Sequence, residues 1–276
     1  MPQTIVSLTN TMTLEEVIAK LAEREAVDGV IIIGSASENT LSSVSDYDLV
    51  VVLSDMPAPL HVGLTYIDQR LADIIFFTVA EVDRLLSLAE PVDAEEWVGR
   101  LLRWLRVGRI AFDRTGRLQR AQRKVLAGQW LSPASESRVY QTWFHINYNV
   151  KQNKRMLASD DPVYQQALDM RLLYGIAEVF TGYFDLRRLP WEGEKAAIRY
   201  LAANDRGYLD LFQRCLAETD RAQRVQLYEQ LAALTTAPVG GLGPDGATAI
   251  QFKEGTELKP GTIEAALGFW QSLFSW

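Results

Sequence analysis

The chain has 276 residues, 48% hydrophobic and 23% charged, with 28 Lys and Arg against 35 Asp and Glu for a net charge of −7. That is globular composition of a length that suits two domains, and its acidity argues against general nucleic-acid binding, which needs a basic surface. The single cysteine, Cys215, excludes an internal disulfide framework and a cysteine-cluster metal site, while the absence of a long uncharged apolar stretch or a basic-then-apolar start predicts a cytoplasmic protein without a membrane partner.

The first predicted element is a helix over about residues 13–26. Thr13-Leu14-Glu15-Glu16 has the capping-box pattern, and Val17, Leu21 and Ala22 follow at helical spacing. Two apolar, β-branched runs come next, Val30-Ile31-Ile32-Ile33 within a strand over 28–34 and Leu49-Val50-Val51-Val52-Leu53 within one over 47–53. Runs of that length read as buried strands. Gly34-Ser35 ends the first of them and Asp46-Tyr47-Asp48 opens the second. Residues i and i+2 of a strand share a face, so Asp46 and Asp48 project side by side. Adjacent carboxylates repel unless a cation neutralises them. Their hard oxygens suit Mg²⁺, which takes one or two carboxylates and fills its octahedron with water and phosphate oxygens. A glycine at a strand end lets backbone approach a phosphate closely, with turn N–H groups forming an anion-binding concavity.

Residues 62–77 read as one long strand or two short ones. Asp73 stands there among Leu71, Ala72, Ile74 and Ile75, where a charge is costly without a partner, and Asp68 sits beside Gln69-Arg70 in a turn-like setting. If the Asp46–Asp48 pair takes a third carboxylate, burial prefers Asp73 to Asp68. Thr78-Val79-Ala80-Glu81 starts another helix, 94–106 carries Trp97, Leu101, Leu102 and Leu105 on one stripe, 107–116 reads as a short strand and turn, and 116–128 as a helix. From about 132 the pattern becomes helical, over roughly 135–158, 161–186, 193–203, 206–217 and 219–236. Its aromatics, Tyr140, Trp143, Phe144, Tyr148, Tyr174, Phe180, Tyr183 and Phe184, read as a core stripe. A Gly/Pro-rich loop follows over 237–261, then an amphipathic helix over 262–275. The fold class expected is α+β, with a mixed-sheet domain over 1–130 and an all-helical domain over 131–276.

The segment from Gly34-Ser35 through ten residues to Asp46-Tyr47-Asp48, set between two apolar strands, resembles the signature of the nucleotidyltransferase superfamily related to DNA polymerase β. The wider plan, a small catalytic domain with Gly108-Arg109-Ile110-Ala111-Phe112-Asp113 followed by helices, resembles aminoglycoside adenylyltransferases of the streptomycin/spectinomycin type. The resemblance implies a Mg²⁺-dependent enzyme, with antibiotic resistance as one expected role. It would move a nucleoside monophosphate from a nucleoside triphosphate, ATP being the first expectation, to a hydroxyl of a small-molecule acceptor. It implies that Asp46 and Asp48 hold two Mg²⁺ ions and that Asp73 is a further ligand or the general base. Gly34, Ser35 and Ser45 would hold the nucleotide. Tyr148, Lys151 and Arg155, at i, i+3 and i+7 of a helix, would bring positive charge to the triphosphate from the helical domain that completes the cleft.

Other signals weigh less. Gly241-Leu242-Gly243-Pro244-Asp245-Gly246 matches a dinucleotide fingerprint in letters but lacks the preceding strand and following helix that the motif needs. His61 and His145 have no metal-ligand spacing. Arg100, Arg103, Arg106, Arg109, Arg114, Arg117, Arg120, Arg123 and Lys124 are offset by Asp113 alone. They read as a solvated face, or as a positive rim that steers triphosphate or RNA. The rim would favour a toxin-like nucleotidyltransferase acting on tRNA or protein. A non-catalytic nucleotide-binding or interaction module is the alternative from outside enzymes. Residues 131–276 carry 17 acidic and 15 basic side chains, a net of −2, which gives little support to a polycationic acceptor.

Overall fold

Thr13 forms the expected capping box with Glu16, and the helix it opens, α1 (Leu14–Ala22), is shorter than its periodicity predicts. Arg114 supplies the reason. Its Nη2 donates to the carbonyls of Ala22 (2.6 Å) and Arg24 (3.0 Å), and its Nε to that of Val27 (2.9 Å), which turns the chain directly into strand β1 (Val27–Ile33). The computed structural model describes residues 12–37, 40–56, 60–94 and 96–243. The chain divides into two compact units, 1–133 and 134–276.

The first unit is built on a mixed sheet. After β1 come a 3₁₀ turn (Gly34–Ala36), β2 (Tyr47–Leu53), β3 (Val62–Ile67) and β4 (Arg70–Thr78). The apolar run 62–77 is thus two strands. Asp68 and Gln69 both take positive φ (49° and 62°), as a two-residue hairpin turn requires. The helix α2 (Val79–Ser87) starts from a second capping box, Thr78 with Glu81. Then follow α3 (Trp97–Val107), β6 (Arg109–Asp113) and α4 (Arg117–Leu126), with two-residue strands β5 (Val92–Asp93) and β7 (Leu131–Ser132) paired in parallel, a feature the sequence pattern does not signal. Strand order in the five-stranded sheet is β3-β4-β2-β1-β6, and of its neighbouring pairs β2 with β4 is parallel and the others are antiparallel.

Alternation decides which face each side chain joins. Ile31, Ile33, Val50, Val52 and Phe77 pack under α2, α3 and α4. Ile32, Leu49, Ile67 and Ala72 pack with Leu14 and Val17 of α1. The buried Asp28 is satisfied by Arg117 Nη1 and Thr115 Oγ1, each at 3.0 Å.

The second unit is helical: α5 (Glu136–Leu157), α6 (Pro162–Leu186), α7 (Glu194–Asn204), α8 (Arg206–Ala217) and α9 (Arg221–Thr236), closed by a 3₁₀ turn (Ala237–Val239). Its core joins Leu168, Leu172, Ile176 and Val179 of α6 to Tyr228 and Leu231 of α9. The aromatic stripe divides. Phe180, Tyr183 and Phe184 are buried as expected, but Tyr148 and Tyr174 are 48% and 41% exposed. Residues 244–261 of the predicted loop and the predicted helix 262–275 lie outside the described residues. Among the described residues no helix is long and apolar enough to cross a membrane.

Cys215 is fully buried, and that burial pushes its thiol up to about 11. Since the thiolate is the reactive form, the native protein is expected to resist an aromatic disulfide reagent at pH 8 and to react fully once unfolded in guanidinium. Rapid labelling of the folded protein would contradict this packing.

Candidate functional site

Parallel pairing of β2 with β4 sets Asp48 directly opposite Asp73. Register partners share a face, and neighbouring strands lie about 4.8 Å apart, so two half-buried carboxylates stand side by side. Asp73 Oδ1 is buried and has no hydrogen-bond partner. A buried carboxylate oxygen left unmatched is costly, and it calls for a cation or a proton donor brought by a ligand.

The end of β1 completes the neighbourhood. Ile33 is the register partner of Asp48 on the other side, so the turn that starts at Gly34 lies against that aspartate. Gly34 has φ +64°, and a Cβ built on it would come 2.7 Å from Asp48 Oδ2. The glycine is required here for both reasons, a left-handed backbone and the close carboxylate. Its carbonyl accepts from Ser37 N (3.1 Å) and Ser37 Oγ (2.7 Å), and that of Ser35 accepts from Thr40 N (3.0 Å), which closes the turn upon itself.

Asp46 sits one residue before β2, half-buried, after a second closed turn. Ser45 N donates to the Ser42 carbonyl (3.2 Å), Ser42 N donates to Ser45 Oγ (2.9 Å), and the two hydroxyls are 3.0 Å apart. Ser45 therefore uses its hydroxyl to shape the approach to Asp46. Asp68, the rival for the third carboxylate, is exposed in the β3–β4 turn and is not in register with Asp48.

Asp46, Asp48 and Asp73 offer hard oxygen donors of the kind Mg²⁺ takes. The set is all carboxylate, and the orphaned oxygen of Asp73 faces the same side of the sheet as Asp48. Among the described residues no group of three His, Cys, Asp or Glu side chains forms a metal site by itself. The three aspartates thus do not make a closed protein cage. A two-carboxylate foothold completed by water and phosphate oxygens is how Mg²⁺ is ordinarily held, and the residues fit that mode.

The same face continues across β3. Leu64 is the register partner of Asp73, and Tyr66 pairs with Leu71 one step along. Leu64, Tyr66, Val62 and Leu71 are 70%, 54%, 53% and 42% exposed. An uncharged apolar shelf therefore borders the carboxylate pair. Alternation along the 62–77 run carries this signal in the sequence once the register is known.

In the helical unit the Tyr148, Lys151 and Arg155 face splays. Arg155 lies over Tyr164 (5.6 Å), and Tyr148 stacks on Phe144 while Arg171 sits over it (5.6 Å) and over Tyr174 (5.7 Å). Lys151 instead lines a small pocket with Asn147, Lys154, Glu229 and Gly243. Arg171 also donates to the buried Asn149, whose amide donates to Glu178 (2.7 Å). The sequence gives no sign of this Arg171–Asn149–Glu178 chain, because its members are scattered over two helices.

Much of the basic run over 100–124 has structural work. Arg117 joins Asp28 and Asp83, Arg114 ends α1, Arg120 reaches the Thr115 carbonyl, and Lys124 donates to the carbonyls of Leu86 (2.7 Å) and Leu88 (2.6 Å) after α2. The glycines at 241 and 243 follow α9 and a 3₁₀ turn with no strand before them, so the dinucleotide fingerprint lacks its context. His61 packs edge-on to Trp97 at 5.3 Å, and His145 is exposed beside Phe144.

No family model and no curated protein matches this chain. Among solved structures it is similar to a nucleotidyltransferase-like protein from Exiguobacterium sibiricum, at 14% identity over 81% of this chain and 76% of that one, with a TM-score of 0.40.

Proposed function

We propose that the protein is a Mg²⁺-dependent nucleotidyltransferase that moves a nucleoside monophosphate, from ATP in the first instance, onto a hydroxyl of a small-molecule acceptor and releases pyrophosphate. The observation that carries this reading is the Asp48–Asp73 pair, with its orphaned carboxylate oxygen, placed against a left-handed glycine turn. Asp48 and Asp46 would hold Mg²⁺, which supplies charge neutralisation on the phosphates and alignment of attacking and leaving oxygens. The turn at Gly34 and Ser35 would receive the departing phosphates. Asp73 either adds a further carboxylate to the cation or takes the proton of the acceptor hydroxyl, and the apolar shelf of Leu64 and Tyr66 would seat the acceptor. The structural engagement of Arg114, Arg117 and Lys124 leaves less of the basic run for a tRNA substrate, so the small-molecule reading is preferred.

The test is incubation of the full chain with Mg²⁺ and each of four labelled nucleoside triphosphates, against aminoglycosides, lincosamides and bulk tRNA. Mass spectrometry reads the adduct and a coupled assay reads pyrophosphate. A nucleotidylated small molecule is expected. An adduct on tRNA alone would select the toxin-like alternative, and Mg²⁺·ATP binding without any adduct would select a non-catalytic module.

A further inference from the structure

Arg70 opens β4, three residues before Asp73, and therefore projects to the opposite face of the sheet. There its guanidinium lies 6.0 Å over the ring of the buried Tyr47, the residue between Asp46 and Asp48. Its Nη1 donates to two carbonyls at once, Ser42 (2.6 Å) and Ser45 (3.0 Å), the first and last residues of the closed turn that leads into Asp46. The Ser45 carbonyl belongs to the peptide plane shared with Asp46. An arginine that grips that oxygen fixes the plane and with it the direction in which the Asp46 side chain leaves the backbone.

We infer that Arg70 is a positioning residue for divalent-cation binding: it holds the Ser42–Ser45 turn so that Asp46 is presented on the side of the sheet that carries Asp48 and Asp73. It acts from beneath the sheet and touches neither cation nor nucleotide. The inference rests on the nucleotidyltransferase reading. Groups that support metal ligands from behind typically change metal affinity by about 10- to 100-fold when removed.

The experiment uses Mn²⁺ alone as the probe, read by electron paramagnetic resonance of the free ion, on the full chain and on Arg70→Gln, Arg70→Lys, Asp46→Asn and the double variant Asp46→Asn/Arg70→Gln. Arg70→Gln is expected to weaken Mn²⁺ binding by about tenfold. In the Asp46→Asn background the same change is expected to do nothing more, because its effect passes through Asp46. Gln69→Gly, in the adjacent hairpin turn, is expected to bind as the parent does. If Arg70→Gln does not fold, Arg70→Lys carries the test. Lysine keeps the charge but is shorter and lacks the planar fork, so a loss smaller than that of Arg70→Gln is expected, again only with Asp46 intact. Unchanged affinity in the Arg70 variants, or an equal loss without Asp46, overturns the positioning role and leaves the nucleotidyltransferase reading standing. A parent protein that binds no Mn²⁺, with or without ATP, overturns that reading and this inference together.

Discussion

Asp48→Asn and Asp73→Asn are each expected to lower Mg²⁺-dependent nucleotidyl transfer by about a thousandfold, since charge stabilisation by a bound cation is worth several kcal/mol and each 1.36 kcal/mol is a factor of ten. Asp73→Asn should not cost stability, since its Oδ1 has no hydrogen-bond partner to lose. The two carboxylates are register partners on adjacent strands, and removing one charge relieves repulsion, so the melting temperature of that variant without metal should hold or rise. The pair also separates the two roles open to Asp73. If Asp73→Asn weakens Mn²⁺ binding as Asp48→Asn does, the residue is a ligand. If cation affinity is intact and only turnover falls, it is the base. Turnover near the parent value in either variant would remove the proposed chemistry.

Gly34→Ala should damage both the fold and the site. The left-handed backbone at φ +64° costs a residue with a Cβ about 1–2 kcal/mol. The new methyl would also stand 2.7 Å from Asp48 Oδ2, closer than a real Cβ contact, so the carboxylate must swing away. A melting temperature lower by a few degrees is expected, together with a drop of about tenfold in cation affinity. Thermal melts with and without Mg²⁺ give both quantities. Equal melting curves would show that the turn takes up a side chain without strain.

Much of this was legible before the structure. The capping boxes at Thr13 and Thr78, the β-branched strands and the helical periods between 135 and 236 are local signals, and each produced its element. Burial alone sets Asp73 above Asp68, and Asp73, not Asp68, lies opposite Asp48, a pairing set by a parallel register that no local pattern encodes. What stayed hidden depends on tertiary placement. The reach of Arg70 across 28 residues to Ser42 has no periodicity to betray it. The same holds for the two-residue β5–β7 pairing and for the Arg171 contacts that hold Tyr148 at the surface of its unit. The basic run over 100–124 shows the converse: composition leaves a solvated face and a positive rim both open, while Arg114, Arg117 and Lys124 engage helix ends and Asp28.

The parallel contact of β2 with β4 has a meaning for how the first unit assembles. β1 with β2, and β3 with β4, are antiparallel pairs of strands that are neighbours in the chain, while β2 with β4 is the seam that joins those two halves, with β3 skipped over in between. A contact between more distant segments bears a larger loop-closure entropy. At this seam the chain places one aspartate against another, so the joint that is harder to close also carries a like-charge pair. A bound divalent cation would tie the halves together as a clasp does, and occupancy of the site would then add directly to the stability of the sheet. If the proposed function holds, the same two residues would decide both whether nucleotidyl transfer proceeds and how firmly the central sheet is shut.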